Sequence, residues 1–138
     1  LGVPDLQPYF KIAPRLKRDG VQVFSANFRL YSDISAQVMA TLRDFSPRVE
    51  QYSIDEMFLD LGGIETDLET LAARIRDRLW REVRMPVGVG IAPTKTLAKL
   101  ANHAAKKIKH DGVAVLERPQ QWQWLLRRLP ADRVWGIG

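Results

Sequence analysis

The chain has 138 residues, 46% of them apolar, and no cysteine. That length and apolar share specify one folded domain with a sizeable core and exclude a disordered segment. The lack of cysteine removes disulfides and thiolate metal sites, so any metal must be held by oxygen or histidine. No run of about 18 uncharged apolar residues occurs and no charged segment precedes an apolar core at the start, so the expectation is a cytoplasmic protein with no membrane association.

The formal net charge is +5, which favours an anionic partner only weakly; the distribution of charge says more. Between Asp44 and Glu69 every charged residue is acidic except Arg48, whereas Lys95, Lys99, Lys106, Lys107 and Lys109 follow one another with no intervening acid. Such segregation suits a phosphate-rich ligand lying on a basic surface, its reacting end over a metal held by acids.

In chain order, residues 1–24, with Pro4, Pro8, Pro14 and a Lys17-Arg18-Asp19-Gly20 turn, read as irregular structure and short elements. Residues 32–45 carry Ile34, Val38, Met39 and Leu42 at helical spacing, with Ser32 or Asp33 as N-cap. A hairpin follows, its apolar runs Val49, Tyr52, Ile54 and Phe58, Leu59, Leu61 flanking Asp55 and Glu56. Residues 67–84 form a second amphipathic helix, on Leu68, Leu71, Ala72, Ile75, Leu79 and Val83, and Pro86 ends it. Residues 87–91 read as a buried strand, 94–107 as a third helix, 113–116 as another strand and Pro119–Leu126 as a last short helix. Helix, hairpin, helix, strand, helix, strand is the order of an α+β domain, a sheet covered by helices on one face. The chain has no initial Met and ends in Val134-Trp135-Gly136-Ile137-Gly138, where two glycines start a turn, so it reads as a fragment.

Two constellations carry chemistry. Asp55 and Glu56 are adjacent carboxylates at a hairpin end. They serve either as turn caps, which Asp does through local hydrogen bonds, or as ligands for Mg²⁺, a hard cation that takes a few carboxylates and leaves positions for water and substrate phosphates. Residues 87–101, Val-Gly-Val-Gly-Ile-Ala-Pro-Thr-Lys-Thr-Leu-Ala-Lys-Leu-Ala, have the strand–turn–helix layout of a phosphate-binding loop. They fail both familiar templates: a Walker loop anchored on Lys95-Thr96 would need glycines at Val89 and Thr94, and the dinucleotide fingerprint from Gly88 and Gly90 would need its third at Pro93. Gly88 and Gly90 instead allow a helix to pack closely on the strand.

On that helix Leu97, Leu100, Ala101 and Ala104 form the core stripe, while Lys95, Lys99, Asn102 and Lys106 recur on another face. That stripe is either a solvated surface or, being all positive, an anion site. His103 and His110, seven residues apart, read as packing or surface residues rather than a metal pair. Trp122, Trp124 and Trp135 read either as base-stacking residues or as core and interdomain contacts.

Tyr52-Ser53-Ile54-Asp55-Glu56 followed by Phe58-Leu59-Asp60, and the segment 88–107, resemble the Y-family translesion DNA polymerases, most closely the UmuC-type (ImpB/MucB/SamB-like) proteins. Tyr9-Phe10-Lys11, Phe24-Ser25, Asn27, Leu30-Tyr31, Ser46-Pro47-Arg48-Val49 and Val134-Trp135-Gly136-Ile137-Gly138 extend the resemblance over essentially the whole chain. The resemblance implies that 1–24 ends a fingers region, 25–128 is most of a palm built on a ferredoxin-like sheet, and 129–138 enters a thumb. It implies error-prone, template-directed nucleotidyl transfer past DNA lesions in an SOS response. Asp55 and Glu56 would be two of three carboxylates holding two Mg²⁺ ions, and Lys106, with Lys107 the adjacent alternative, would contact the triphosphate. Partners implied are primer-template and damaged DNA, a deoxynucleoside triphosphate, UmuD-type subunits, the RecA recombinase and the sliding clamp. In this family the first palm strand with its catalytic Asp, the ribonucleotide-excluding aromatic, and a Tyr and an Arg for the triphosphate lie upstream of the segment matching Leu1, so this chain alone is expected to be inactive. A rival reading is a catalytically dead nucleic-acid-binding remnant of such a polymerase; a second is an unrelated two-metal nuclease or cyclase on a similar sheet, which leaves the long match on the lysine helix without an explanation.

Overall fold

The computed structural model describes residues 3, 7–108 and 111–137. Lys109 and His110 of the basic run, residues 1, 2 and 4–6, and Gly138 lie outside the described residues.

The first element departs from expectation. A ten-residue helix α1, Tyr9–Arg18, stands where the prolines suggested irregular chain. Pro8 is its N-cap, ahead of the first turn where a missing N–H costs no helical hydrogen bond, and Pro14 is carried inside the helix. The turn after it is as read, with Gly20 at φ +69°, a left-handed conformation that glycine adopts without a Cβ penalty.

Helix α2, Phe28–Leu42, begins earlier than its apolar spacing suggests, because Asn27 rather than Ser32 or Asp33 caps it, accepting from the Leu30 N–H at 3.1 Å. The extra first turn carries Phe28, Leu30 and Tyr31 exposed, so it adds nothing to the inward-facing periodicity from which the helix was read. Helix α3, Leu68–Val83, follows its sequence signals closely: the Asp67 side chain accepts from the Thr70 N–H at 2.7 Å, and Arg84 closes the helix at φ 57° just before Pro86. Its inward stripe, Leu71, Ile75 and Leu79, packs with Leu42 of α2 into one core. Leu79 is only 1% exposed, so truncating it to Ala would cost about 2–5 kcal/mol.

The hairpin consists of β1, Val49–Gln51, and β2, Met57–Leu59, antiparallel with Val49 opposite Leu59 and Gln51 opposite Met57. The second pair is parallel: β3, Val89–Ile91, beside β4, Val113–Val115, with α4, Lys95–Lys107, as the crossover. The side-chain period of two divides that pair cleanly. Val89, Ile91, Val113 and Val115 meet Ala72 and Leu68 of α3, while Ala114 and Leu116 meet Leu100, Ala101, Ala104 and Ala105 of α4 and Leu125 of α5, Pro119–Leu126. Helices therefore lie on both faces of β3–β4 where a one-faced layer was expected, since a parallel pair joined by a helix buries both its faces.

The α+β class holds, and the described strands form two separate two-stranded sheets. Helix α3 serves both: its core contains Val49, Met57 and Leu59 of the hairpin together with Val89 of β3. Between the two sheets opens a cleft of about 1860 Å³, walled by Met57, Phe58, Leu59, Val89, Gly90 and Ile91.

Candidate active site

The loop joining β1 to β2 is short and closed by its own backbone: the N–H groups of Tyr52 and Ser53 both donate to the Glu56 carbonyl at 3.1 Å. This leaves Asp55 at the tip. The Ser53 hydroxyl donates to Asp55 Oδ1 at 2.7 Å and accepts from the Asp55 N–H at 3.4 Å, so Asp55 is braced from within its loop while its side chain remains exposed. Asp55 and Glu56 both border the cleft. The nearby Asp60 is committed elsewhere. It accepts from the Gly62 N–H at 2.8 Å and the Arg48 guanidinium at 2.7 Å, which together hold its carboxyl below the usual carboxylate range.

Helix α4 faces this loop with its lysines. Lys99 Nζ lies 2.7 Å from Glu56 Oε2, and one turn earlier Lys95 Nζ lies 2.5 Å from Glu50 Oε2 on β1. Two acids of the hairpin thus meet two bases of one helical face. Lys106, on the same face two turns beyond Lys99, stands about 10 Å further along the axis at 1.5 Å per residue. It borders the cleft with Glu56 and Lys99, whereas Lys107 is not among the cleft-lining residues. Glycine makes this approach possible: a Cβ on Gly90 would sit 2.2 Å from the Asn102 amide nitrogen, and one on Gly88 would sit 2.8 Å from Lys106 Cε.

An aromatic cluster completes the wall. Tyr52, Phe58 and Trp135 have ring centroids 5.2–5.9 Å apart, and the Trp135 indole N–H donates to the Tyr52 hydroxyl at 3.1 Å. Lys99 Nζ stands 4.8 Å from the Tyr52 centroid and 5.4 Å from that of Trp135, and Lys95 Nζ stands 5.3 Å from Phe58. Of the other tryptophans, Trp122 packs against the α4–α5 core and Trp124 is exposed beneath the Arg128 guanidinium, 4.0 Å from its ring. His103 borders a smaller groove of about 440 Å³ between α4 and residues 132–137.

Among the described residues no group of three or more His, Cys, Asp or Glu could hold a metal ion. Asp55 and Glu56 together offer two hard carboxylates facing one open cleft, a donor set that fits Mg²⁺ as part of a shell completed by water and phosphate oxygens. Sequence reading singled out Asp55, Glu56 and Lys106. It missed the pairing partners: Lys95 and Lys99 were a stripe with two readings, and Tyr52 and Trp135 carried no signal that they would meet. The separation of Glu50 and Glu56 on the hairpin, matched by an i, i+4 lysine pair, is a trace of the contact visible only once the hairpin is placed on the helix.

Comparison with solved structures defines the class. The fold matches an insertion ternary complex of Dbh DNA polymerase (TM-score 0.77, 30% identity, 99% of this chain and 39% of that one) and a Y-family DNA polymerase chimera (TM-score 0.79, 30% identity, 100% of this chain and 40% of that one). A DinB family error prone DNA polymerase from Sulfolobus solfataricus superposes with TM-score 0.78 at 30% identity, over 99% of this chain and 40% of that one. These likenesses make the chain a part of the Y-family polymerase fold.

The chain belongs to the impB/mucB/samB family, whose model matches residues 1–103. It is 49% identical to Protein UmuC of Salmonella typhimurium over 100% of this chain and 34% of that protein, and 42% identical to Protein MucB of Escherichia coli over 95% and 32%. DNA polymerase IV 2 of Mesorhizobium japonicum is 37% identical over 81% of this chain and 27% of its own length. The chain therefore spans about a third of the length of the curated relatives it matches.

Proposed function

We propose that this chain is the catalytic palm segment, with the end of the fingers at 1–24 and the entry to the thumb at 129–138, of an error-prone DNA polymerase that transfers nucleotides opposite damaged template. One observation carries the assignment of residues. The Glu56–Lys99 ion pair seats the carboxylate loop on the basic face of α4, and Lys106 lies on that face about 10 Å further along the helix axis, bordering the same cleft as Asp55 and Glu56.

In this reading Asp55 and Glu56 hold the divalent cations, with Mg²⁺ the ion that such oxygens take, and the bound ions supply the charge that lowers the barrier to phosphoryl transfer. Asp55, held by Ser53 at the loop tip, and Glu56 beside it would together supply the carboxylates for those ions. Lys106 presents a point charge to the triphosphate, where negative charge grows towards the transition state. Primer-template DNA would be the partner, its phosphates drawn to the chain's net positive charge whatever the sequence.

Resemblance to the UmuC-type proteins supports the wider assignment: a cytoplasmic enzyme of the SOS response that acts on damaged DNA with UmuD-type subunits, RecA and the sliding clamp. None of the described helices is long and apolar enough to cross a membrane. The test is primer extension by the full-length parent, comparing wild type with the double variant Asp55→Asn, Glu56→Gln. Extension lost with DNA affinity kept supports the reading. Extension retained overturns it, and a wild-type parent that binds DNA without extending a primer points to a dead remnant.

A further inference from the structure

Lys99 is the more enclosed of the two α4 lysines that pair with hairpin glutamates. Its ammonium takes a Glu56 oxygen at 2.7 Å and also lies against the rings of Tyr52, at 4.8 Å, and Trp135, at 5.4 Å. Its side chain is 24% exposed, against 48% for Lys95. A divalent cation on the Glu56 carboxylate would stand close to an ammonium bonded to the same group, and the two like charges repel, so entry of the cation at Glu56 loosens the hold of Lys99 on it. The two aromatic faces against which the ammonium already lies would keep it within the site once the Glu56 bond is lost, since a ring face attracts a cation. Trp135 is hydrogen-bonded to Tyr52 and lies in the 131–137 segment, so the shift of one lysine reaches a part of the chain remote in sequence from the hairpin.

We propose that Lys99 is a positioning residue that pairs with Glu56 in the cation-free state and, on cation entry, gives up that bond while staying against Tyr52 and Trp135, so that filling of the carboxylate site is registered at Trp135. The proposal rests on the reading that Asp55 and Glu56 hold the cation. Without the cation, the lysine neutralises a carboxylate that would otherwise repel its neighbour Asp55 and keeps Glu56 in the conformation in which it faces α4. With the cation, the same side chain neutralises nothing at Glu56 and is held by the Tyr52 and Trp135 rings alone. Lys95 provides the control, because it is a lysine of the same helix, one turn away, paired with Glu50 rather than Glu56. Removing either lysine deletes one positive charge near the site, and only removing Lys99 deletes the competitor.

The experiment uses the full-length parent without DNA. Mn²⁺ binding, followed by electron paramagnetic resonance, compares wild type with Lys99→Met, Lys99→Arg, Lys95→Met and Asp55→Asn, each checked by thermal melting. Lys99→Met should bind Mn²⁺ about three- to tenfold more tightly, Lys95→Met should change by less than about twofold, and Lys99→Arg should stay near wild type, since the arginine still competes. A second measurement needs no variant at Lys99: tryptophan emission of the wild type should change in step with Mg²⁺ saturation, and that change should be missing from Trp135→Phe. Equal effects of Lys99→Met and Lys95→Met overturn the proposal, as does Trp135 emission indifferent to Mg²⁺. If Asp55→Asn removes Mn²⁺ binding while the two lysine variants behave alike, the competitor role fails and the metal assignment stands. If Asp55→Asn binds Mn²⁺ as wild type does, the metal assignment fails and the role of Lys99 falls with it.

Discussion

Gly90 and Asn102 are in backbone contact: a Cβ on Gly90 would lie 2.2 Å from the Asn102 amide nitrogen and 2.5 Å from the Ala98 carbonyl oxygen. Strand β3 and helix α4 are thereby set at the separation that brings Lys99 onto Glu56. Backbone cannot rotate out of the way as a side chain can, so Gly90→Ala should lower stability by about 3 kcal/mol or more, the upper end for overpacking. At Gly88 the groups in the way are the Asn102 side chain at 2.7 Å and Lys106 Cε at 2.8 Å, both of which can move. Gly88→Ala should therefore cost about 1 kcal/mol or less in denaturant unfolding while impairing nucleotide use through a displaced Lys106. A reversed order of the two stabilities would show that the contact is looser than this geometry.

Among the described residues, the hydrogen bond that the Asp55 carboxylate makes is with Ser53 in its own loop. In the full-length parent, Asp55→Asn should leave the melting temperature and DNA affinity nearly unchanged and lower primer extension by at least about a thousandfold, some 4 kcal/mol of lost transition-state stabilisation. Activity within tenfold of wild type would remove Asp55 from the metal site.

Lys106 borders the cleft with Glu56 and Lys107 does not, which separates two adjacent residues of like charge. Lys106→Ala should lower kcat/KM for the nucleotide by about ten- to a thousandfold with little change in primer-template affinity. Lys107→Ala is the internal control. A large effect on nucleotide use at Lys107 alone would shift the assignment by one residue, and weakened DNA binding with a shallower salt slope at both would make the run a DNA-backbone contact.

Asp67 caps α3, and its bond from Thr70 lowers its pKa from 3.8; Asp60 is lowered likewise by Gly62 and Arg48. A carboxyl whose folded pKa is depressed stabilises the fold fully above its unfolded pKa and loses that contribution as pH falls through the folded value. Melting temperatures should be flat around neutral pH and decline below about pH 4. Asp67→Ala should melt lower than wild type at pH 7, with the difference shrinking as the solution is acidified below that point. A difference independent of pH would mean that the cap acts through something other than its charge.

Strands β2 and β3 each pair on one side among the described strands, and their other edges face the cleft. Open edges are templates for pairing with another chain. The 138-residue chain by itself should therefore self-associate or melt broadly, and it should not extend a primer, because two carboxylates in water bind Mg²⁺ weakly. Sedimentation as a monomer with a sharp thermal transition would show that the edges are closed in another way, and primer extension by the purified chain would show that the site is sufficient as it stands.

The local order of this protein was written in its sequence. Helix α3 was legible because Asp67, the Leu71–Ile75–Leu79 spacing and Pro86 all act within a few residues of one another, and the same is true of α4 and of the hairpin that carries Asp55 and Glu56. Helix α1 was hidden because Pro8 and Pro14 signal interruption, and the position of Pro8 at the cap reverses that meaning. Pairing across long sequence distance was not written in any local pattern. Glu56 and Lys99, 43 residues apart, and Tyr52 and Trp135, 83 apart, meet only because Gly90 lets α4 settle on β3 while α3 holds the hairpin and β3 in one core. Periodicity reports which face of an element is apolar, and so it shows that a lysine stripe turns away from the core. Whether that stripe meets water or a row of carboxylates depends on the packing of other elements, and only the tertiary structure decided that for Lys95, Lys99 and Lys106.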